Sequence, residues 1–251
     1  MRFEYPMSQD VAALRRLWKQ AFGDEDAFLD AFFSTGFDLR RCRMALVDGQ
    51  LAGALYWLDC QLEGRKIAYL YAVATDMAHR GRGVCHRLME DTHAVLERQG
   101  YSGAILVPGE ERLWRFYGRM GYEPCTKIRT VDCDAGGQPV ALRRIDVEDY
   151  ALFRRQRLPE KGLLQEGPSL AFLAAQAVFY EGEGILLAVR REEGRLFALE
   201  LLGDPSDAPR IVAALGAQLG RFRCCGEGDW FSMYRSFDGA QAPGYLGFAF
   251  D

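Results

Sequence analysis

The fold is decided by residues 71–100, YAVATDMAHRGRGVCHRLMEDTHAVLERQG. The first residues of this stretch end an apolar segment that is typical of a buried strand. Its second half predicts a long helix, because Val84, Leu88 and Val95 recur on one face. Gly100 follows as a C-terminal cap. The stretch therefore predicts a strand, a short loop and an amphipathic helix in direct succession.

Two arginines and two glycines occupy the loop before that helix, in Arg80-Gly81-Arg82-Gly83-Val84-Cys85. Glycines let consecutive backbone N–H groups turn inward as an anion-binding concavity. The helix N-terminus adds unpaired N–H groups and a positive dipole end. Because Arg80 and Arg82 add fixed positive charge, the loop predicts a pyrophosphate site. The alternative is a glycine-rich turn with surface arginines.

Two other phosphate-binding loops do not fit the spacing. A Walker loop ends in Gly-Lys-Ser or Gly-Lys-Thr, which this segment lacks. A dinucleotide fingerprint would need a small residue at His86 and a preceding parallel strand that opens a β-α-β unit.

A second motif lies downstream, where residues 113–122 have the sequence LWRFYGRMGY. The glycine-arginine loop resembles the coenzyme A pyrophosphate motif of GNAT acetyltransferases, which is Arg or Gln, two residues, Gly, one residue, then Gly or Ala. The downstream segment is similar to the second signature of that family, a helix that ends in Phe-Tyr before Gly-Phe or Gly-Tyr. The resemblance covers about residues 1–132.

The likeness is closest to the enhanced-intracellular-survival branch of the family, in which a second GNAT-like domain follows the first. Residues 117–124, YGRMGYEP, are especially similar to that branch. The resemblance implies an α/β, mixed-sheet GNAT acyl-CoA N-acyltransferase fold with a second, smaller, degenerate GNAT-like α/β domain. We expect the GNAT domain at residues 1–133 and the second domain at 140–251. The chain is expected to be too short for the third domain of the branch.

The resemblance also implies an activity, the transfer of an acetyl group from acetyl-CoA to a primary amine by direct attack in a ternary complex. The pantetheine arm would lie alongside the strand like an added strand. A backbone N–H near Val73 would polarise the thioester carbonyl. The implied cofactor-binding residues are Tyr71, Ala72, Val73, Arg80, Gly81, Arg82, Gly83, Val84 and Cys85.

Tyr117 is the catalytic residue that the resemblance implies. It matches the tyrosine that protonates the departing coenzyme A thiolate, a role that suits a phenol O–H. Helical spacing alone favours the alternative, a core aromatic that shares a face with Leu113 and Trp114.

The base that deprotonates the ammonium is not identified by the sequence. Asp76, Glu110, Glu111 and the chain-terminal carboxylate are all candidates. The branch that this chain resembles uses a C-terminal carboxylate, so we hypothesise that Asp251 reaches toward Tyr117. The alternative for residues 245–250 is an ordinary closing strand.

A second function class stays open, a non-catalytic acyl-CoA-binding sensor or regulatory module. Such a module would need the phosphate loop but not the acid at Tyr117. A third reading is a transferase for longer acyl or aminoacyl donors. The acceptor, whether polyamine, antibiotic, amino acid or protein lysine, is not revealed by any residue.

Composition narrows the remaining classes. The 251 residues carry a net charge of −4, which argues against a nucleic-acid binder. The uncharged run at residues 169–180 is too short to cross a bilayer, and the N-terminus lacks a signal-peptide pattern, so we expect a cytoplasmic protein without membrane partners. Its partner is expected to be a small-molecule or peptide amine, and a homo-oligomer is compatible with the sequence.

Cysteine and histidine patterns do not indicate a metal. The seven cysteines form no C-x-x-C pair, which is typical of reduced cytosolic thiols. His86, Glu90 and His93 share one helical face, which we interpret as the solvent side rather than a metal site.

The second half predicts helices at residues 147–157, 169–179 and 209–219. A hairpin is predicted over residues 185–202, with Glu193-Gly194 at its turn. In the first half, Asp48-Gly49 predicts a hairpin between strand-like segments at residues 42–47 and 51–62.

Overall fold

The computed structural model describes residues 1–250. The helices are α1 (Val11–Phe22), α2 (Asp26–Ala31), α3 (Val84–Arg98), α4 (Glu111–Gly118), α5 (Val147–Arg157), α6 (Pro168–Ala174) and α7 (Ala208–Ala214). The strands are β1 (Arg2–Glu4), β2 (Cys42–Val47), β3 (Gln50–Leu62), β4 (Arg65–Thr75), β5 (Gly103–Leu106), β6 (Glu123–Asp134), β7 (Arg143–Ile145), β8 (Leu164–Gln165), β9 (Val178–Gly182), β10 (Ile185–Glu192), β11 (Arg195–Leu202), β12 (Leu219–Cys225) and β13 (Asp229–Ser236). The mixed α/β class is confirmed.

All thirteen strands belong to one sheet, in the order β1-β2-β3-β4-β5-β13-β6-β12-β11-β10-β9-β7, with β8 paired to β3. β13 lies between β5 and β6 and is antiparallel to both, and β6 pairs with β12 on its other edge. In this way β6 of the first half pairs with β12 of the second half, and β13 of the second half inserts between two strands of the first. The division into residues 1–133 and 140–251 stays a prediction, and the two halves share their central strands.

Local turn chemistry explains the predicted hairpins. Asp48 and Gly49 both have positive φ, 51° and 81°, and join β2 to β3. Glu193 and Gly194 repeat this geometry, with φ values of 49° and 80°, between β10 and β11. Positive φ at both central residues matches the strand twist, so both hairpins are confirmed.

The sheet has a helix-covered core on each face. On one face, Leu14 and Trp18 of α1 pack with Phe172 of α6 and the adjoining strands. On the other face, Leu88 of α3 packs with Tyr117 of α4. The two faces are called the α1 side and the α3 side below.

A bulge and a divergence break the regular sheet beside these cores. β4 pairs with β5 in parallel only from Ile67 to Tyr69, although β4 continues to Thr75. The register between β3 and β4 shifts beyond Tyr71, and Ala72 has a φ of +48°. A bulge leaves an extra residue outside the ladder, so β4 is free to bend away from β5 here.

Two helix ends in the second half differ from the sequence prediction. The helix predicted to residue 179 ends at Ala174, and β9 starts at Val178. The helix predicted over 209–219 ends at Ala214, and Leu219 begins β12. Both errors have one cause, because apolar strand residues that follow a short helix also fit a helical period.

Residues 245–250 do not form the predicted closing strand, apart from an isolated bridge at Tyr245. They are nonetheless buried, and Gln165 holds Phe248 by donating from Nε2 to its carbonyl (2.8 Å) and accepting from its N–H (3.3 Å). Gly247 packs on the buried Arg154–Glu200 ion pair, whose Nε–Oε2 distance is 2.7 Å. The segment therefore docks through side-chain contacts rather than through a strand ladder.

No helix within residues 1–250 has both the length and the apolar character needed to span a bilayer.

Candidate functional site

The gap between β4 and β5 opens into a cavity of about 720 Å³. Nine aromatic side chains contribute to its wall, namely Trp18, Phe22, Tyr69, Tyr71, Trp114, Tyr117, Trp230, Phe231 and Phe250. Tyr117 belongs to the core on the α3 side, whereas Trp18 and Phe231 belong to the core on the α1 side. The wall of the cavity therefore includes residues from both faces of the sheet.

The predicted strand residues Tyr71, Ala72 and Val73 all line this cavity. Because of the bulge, Tyr71 and Ala72 both pack toward the α1 side, and Val73 packs toward the α3 side. The Tyr71 hydroxyl donates a hydrogen bond to the carbonyl oxygen of Phe250 at 2.6 Å. Backbone strain at Ala72 is thus located at the point where the sheet splits, as is common at functional sites.

The predicted phosphate loop lies outside the cavity, on the surface between β4 and α3. Gly81 and Gly83 have φ values of +74° and +72°, a region that residues with a Cβ avoid. Gly83 is the N-cap of the fifteen-residue helix α3. Arg80 and Arg82 are exposed and make no ion pair within residues 1–250. The loop therefore presents two available cations beside a helix N-terminus.

Val84 and Cys85 follow this loop as the first residues of α3. Val84 is buried in the core on the α3 side, where it fixes the start of α3. Burial raises the pKa of the Cys85 thiol to about 11. A neutral, small side chain here is compatible with close packing under a loop that carries an anion.

Tyr117 occupies the α3-side wall and is 7% exposed. Its ring packs against Phe116 and Tyr122, with centroid distances of 5.3 and 5.9 Å. Burial, and then the nearby Cys85, raise the pKa of its hydroxyl above the usual range. No hydrogen bond reaches this hydroxyl from residues 1–250. Tyr117 is therefore a protonated donor in the cavity wall without a partner among these residues.

The candidate bases have different positions. Glu110 lines the cavity but pairs with Arg112 at 2.5 Å. Asp76 lies outside it, where it accepts from the Ala78 N–H at 2.9 Å. Glu111 belongs to the first turn of α4 and also lies outside the wall. The hypothesis for Asp251 falls on a residue outside the described range.

Sequence reasoning missed Asp24 and the contribution of the second half. Asp24 follows α1, lines the cavity, and accepts a hydrogen bond from Trp18 Nε1 at 2.7 Å. Arg223, Phe231 and Phe250 come from the second half and line the same space. No local motif marks these residues. Those of the second half reach the site because β12, β13 and residues 245–250 pack beside the first half.

The interpretation of the histidine face was wrong for His93. His86 is exposed and pairs with Glu90 at 3.2 Å, as expected for a surface position. His93 is 2% exposed, and its Nε2 lies 2.7 Å from the Tyr122 hydroxyl. Arg235 of β13 also contacts it, at 3.2 Å from Nδ1. Strand β13 therefore covers this part of α3. Within residues 1–250, no group of three His, Cys, Asp or Glu side chains is placed to hold a metal ion.

A larger cavity, of about 980 Å³, lies at the β10–β11 hairpin between Arg191 and Leu219. It contains none of the predicted site residues.

Comparison with known proteins agrees with this geometry. The model of the acetyltransferase (GNAT) domain matches residues 4–125. The first half of the chain is therefore similar to a GNAT acetyltransferase domain. The GNAT domain model ends inside β6, so β13 lies beyond the matched residues.

Solved structures extend the GNAT likeness over both halves of the chain. A GCN5-related N-acetyltransferase from Kribbella flavida superposes with a TM-score of 0.74 at 19% identity, covering 94% of this chain and 71% of that one. A GCN5-related N-acetyltransferase from Anabaena variabilis gives 0.73 at 15% identity, covering 94% and 72%. Eis1 from Mycobacterium abscessus gives 0.69 at 14% identity, covering 95% and 74%. The predicted GNAT fold and the likeness to the enhanced-intracellular-survival branch are confirmed. Among curated proteins, none matches this sequence.

Proposed function

We propose that this chain is an acetyl-CoA-dependent N-acetyltransferase that acts on a primary amine by direct attack in a ternary complex. The observation that carries the proposal is the cavity at the gap between β4 and β5, whose wall contains the Tyr117 hydroxyl without a hydrogen-bond partner among residues 1–250. Because the wall has residues from both faces of the sheet, two substrates would meet at this gap.

The co-substrate would enter from the α3 side. Its pyrophosphate would bind at the loop of Arg80 and Arg82, where charge and unpaired N–H groups favour an anion. Tyr71, Ala72 and Val73 would border the pantetheine arm, because β4 has no β5 partner there. The residues present therefore fit an acyl-CoA, which supplies the activated thioester carbon.

The amine would enter from the α1 side, where Asp24 provides a carboxylate. Attack of the amine lone pair forms the C–N bond and breaks the C–S bond, and the thiolate needs one proton. Tyr117 would donate that proton, since its raised pKa keeps the phenol protonated at neutral pH. The ammonium first loses one proton to a base that the sequence does not identify. After the attack the acylated nitrogen loses a second proton, which would restore the Tyr117 phenol.

A thiol-release assay with acetyl-CoA and a panel of amines tests the proposal, together with thermal unfolding. We expect acetyl-CoA to raise the melting temperature and at least one amine to release coenzyme A. A thermal shift without turnover on any amine would favour the non-catalytic sensor. A shift with NAD or ATP but none with acetyl-CoA would refute the cofactor assignment.

A further inference from the structure

The α1 side of the site cavity is the region available to the acceptor. This inference rests on the proposed function, which assigns the phosphate loop and Tyr117 to the co-substrate. Trp18, Phe22 and Asp24 belong to α1 and the turn after it, and all three line the cavity. Their side chains therefore determine which amines fit.

Aromatic rings dominate this region. Trp18 and Phe22 meet edge to face, with centroids 5.9 Å apart. Phe250 packs against Tyr71 at 5.7 Å. Phe22 is 48% exposed although it lies on an amphipathic helix that buries its other large apolar side chains. A ligand that covered this ring would remove apolar surface from water.

Negative charge is scarce in the same region among residues 1–250, where the carboxylates in the cavity wall are Asp24 and Glu110. Glu110 is exposed and already pairs with Arg112, whereas Asp24 makes no ion pair. Its bond from Trp18 Nε1 holds the Asp24 carboxylate beside an aromatic ring. One available carboxylate fits one ammonium group.

We propose that the acceptor is a primary amine that bears a single positive charge on a flat apolar body, such as an arylalkylamine. Asp24 binds the ammonium, and Phe22 covers the ring and sets specificity. A polyamine or a polycationic sugar fits poorly, because residues 1–250 offer its further ammonium groups aromatic walls and no second available carboxylate. Burying a charge without a partner is unfavourable.

Three amines with one donor discriminate the classes, namely 2-phenylethylamine, ethylamine and spermidine, each assayed with acetyl-CoA by thiol release. We expect kcat/KM for 2-phenylethylamine to exceed that for either other amine by about tenfold or more, the discrimination typical of an apolar pocket. The gain should come mainly from a lower KM.

Phe22→Ala tests the residue assignment. We expect the ratio of kcat/KM for 2-phenylethylamine to that for ethylamine to fall about tenfold, since the covering ring is lost. Phe22→Tyr should retain the ratio. Leu152→Ala is the matched control, since Leu152 is an exposed apolar residue, 50% accessible, on α5 and outside the cavity.

A direct binding measurement by tryptophan fluorescence supplies a second readout, because Trp18 adjoins Phe22. 2-Phenylethylamine should change the emission of the wild type and of Leu152→Ala, and Phe22→Ala should weaken binding. A preference for spermidine, or a ratio unchanged in Phe22→Ala, overturns the inference and leaves the proposed acetyl transfer intact. Faster turnover of hexanoyl-CoA than of acetyl-CoA, with no advantage for the aryl amine, also overturns it. Absence of turnover and of an acetyl-CoA thermal shift removes the proposed function as well.

Discussion

The segments β4-α3-β5 and β11-α7-β12 have the same order and the same parallel pairing, one in each half of the chain. In the first half, pairing stops at Tyr69 while β4 continues to Thr75, and the candidate site occupies the gap. In the second half, pairing reaches Leu201, next to the end of β11 at Leu202. The second pair therefore stays closed where the first one opens.

The loops before the two crossover helices also differ. The first loop carries Arg80 before two left-handed glycines and Arg82 between them. The second has the sequence Asp204-Pro205-Ser206-Asp207, in which the Asp204 side chain accepts from the Ser206 N–H at 2.8 Å. A carboxylate that occupies the turn repels a phosphate. The shared topology therefore provides only a scaffold, and the candidate site exists in the first half because the strands diverge there and the loop carries arginines and glycines.

Tyr117→Phe should have the largest effect. If the phenol donates the proton, kcat falls by about 10²–10⁴ with little change in acetyl-CoA affinity. Steady-state thiol release and a thermal shift separate the two quantities. Tyr5→Phe, at an exposed tyrosine far from the cavity, should behave as wild type. An unchanged kcat in Tyr117→Phe would make this residue a packing aromatic.

Gly247→Ala tests whether the second half is held by its buried ion pair. An added Cβ would clash with Glu200 Oε1 and with Arg154 Nη2. Disrupting a buried pair should lower the free energy of unfolding by about 3–5 kcal/mol, measured by urea denaturation. Gly118→Ala, where a Cβ meets no atom within 4 Å, is the control. Equal stability of both variants would show that residues 245–250 rearrange without loss.

Gly83→Glu gives the first loop the charge of the second. The carboxylate repels pyrophosphate, so the acetyl-CoA stabilisation of about 2–3 kcal/mol at saturation should disappear. Gly49→Glu matches the substitution at another left-handed glycine with open space around it, and it should retain the thermal shift. A full shift in Gly83→Glu would place the pyrophosphate elsewhere.

The contact between β13 and His93 can be tested through the pH dependence of the free energy of unfolding. Burial, then Arg235 and His86, lower the pKa of His93 to about 3 in the folded chain, against about 6.5 when unfolded. The unfolded state therefore binds more protons between these values, and stability falls as pH drops from 6.5 toward 3, by about 1.4 kcal/mol per pH unit. His93→Gln should flatten this dependence in urea titrations at pH 4–7, whereas the exposed His86→Gln should not. Parallel curves for His93→Gln and wild type would show that the β13 contact leaves His93 protonatable.

The amino-acid sequence alone was enough to predict the strand, loop and helix around residues 71–100. It also predicted both glycine hairpins and the placement of Tyr117 on α4. These features depend on local period and on backbone preferences near one another in the chain, so they could be recognised without the fold. The motif pair also indicated the GNAT family, since both segments carry their signals in short sequences.

The folded structure was needed to show that β13 inserts between β5 and β6 and that His93 is buried. It was also needed to show that Asp24, Phe231 and Phe250 line the cavity. Strand partners far apart in the chain have no local signature, because any half-buried strand can pair with several edges. The helical period placed His93 on a solvent face, and Arg235 and Tyr122 then covered that face. A period records which side of a helix meets its own sheet, and it contains no information about a strand that arrives more than a hundred residues later.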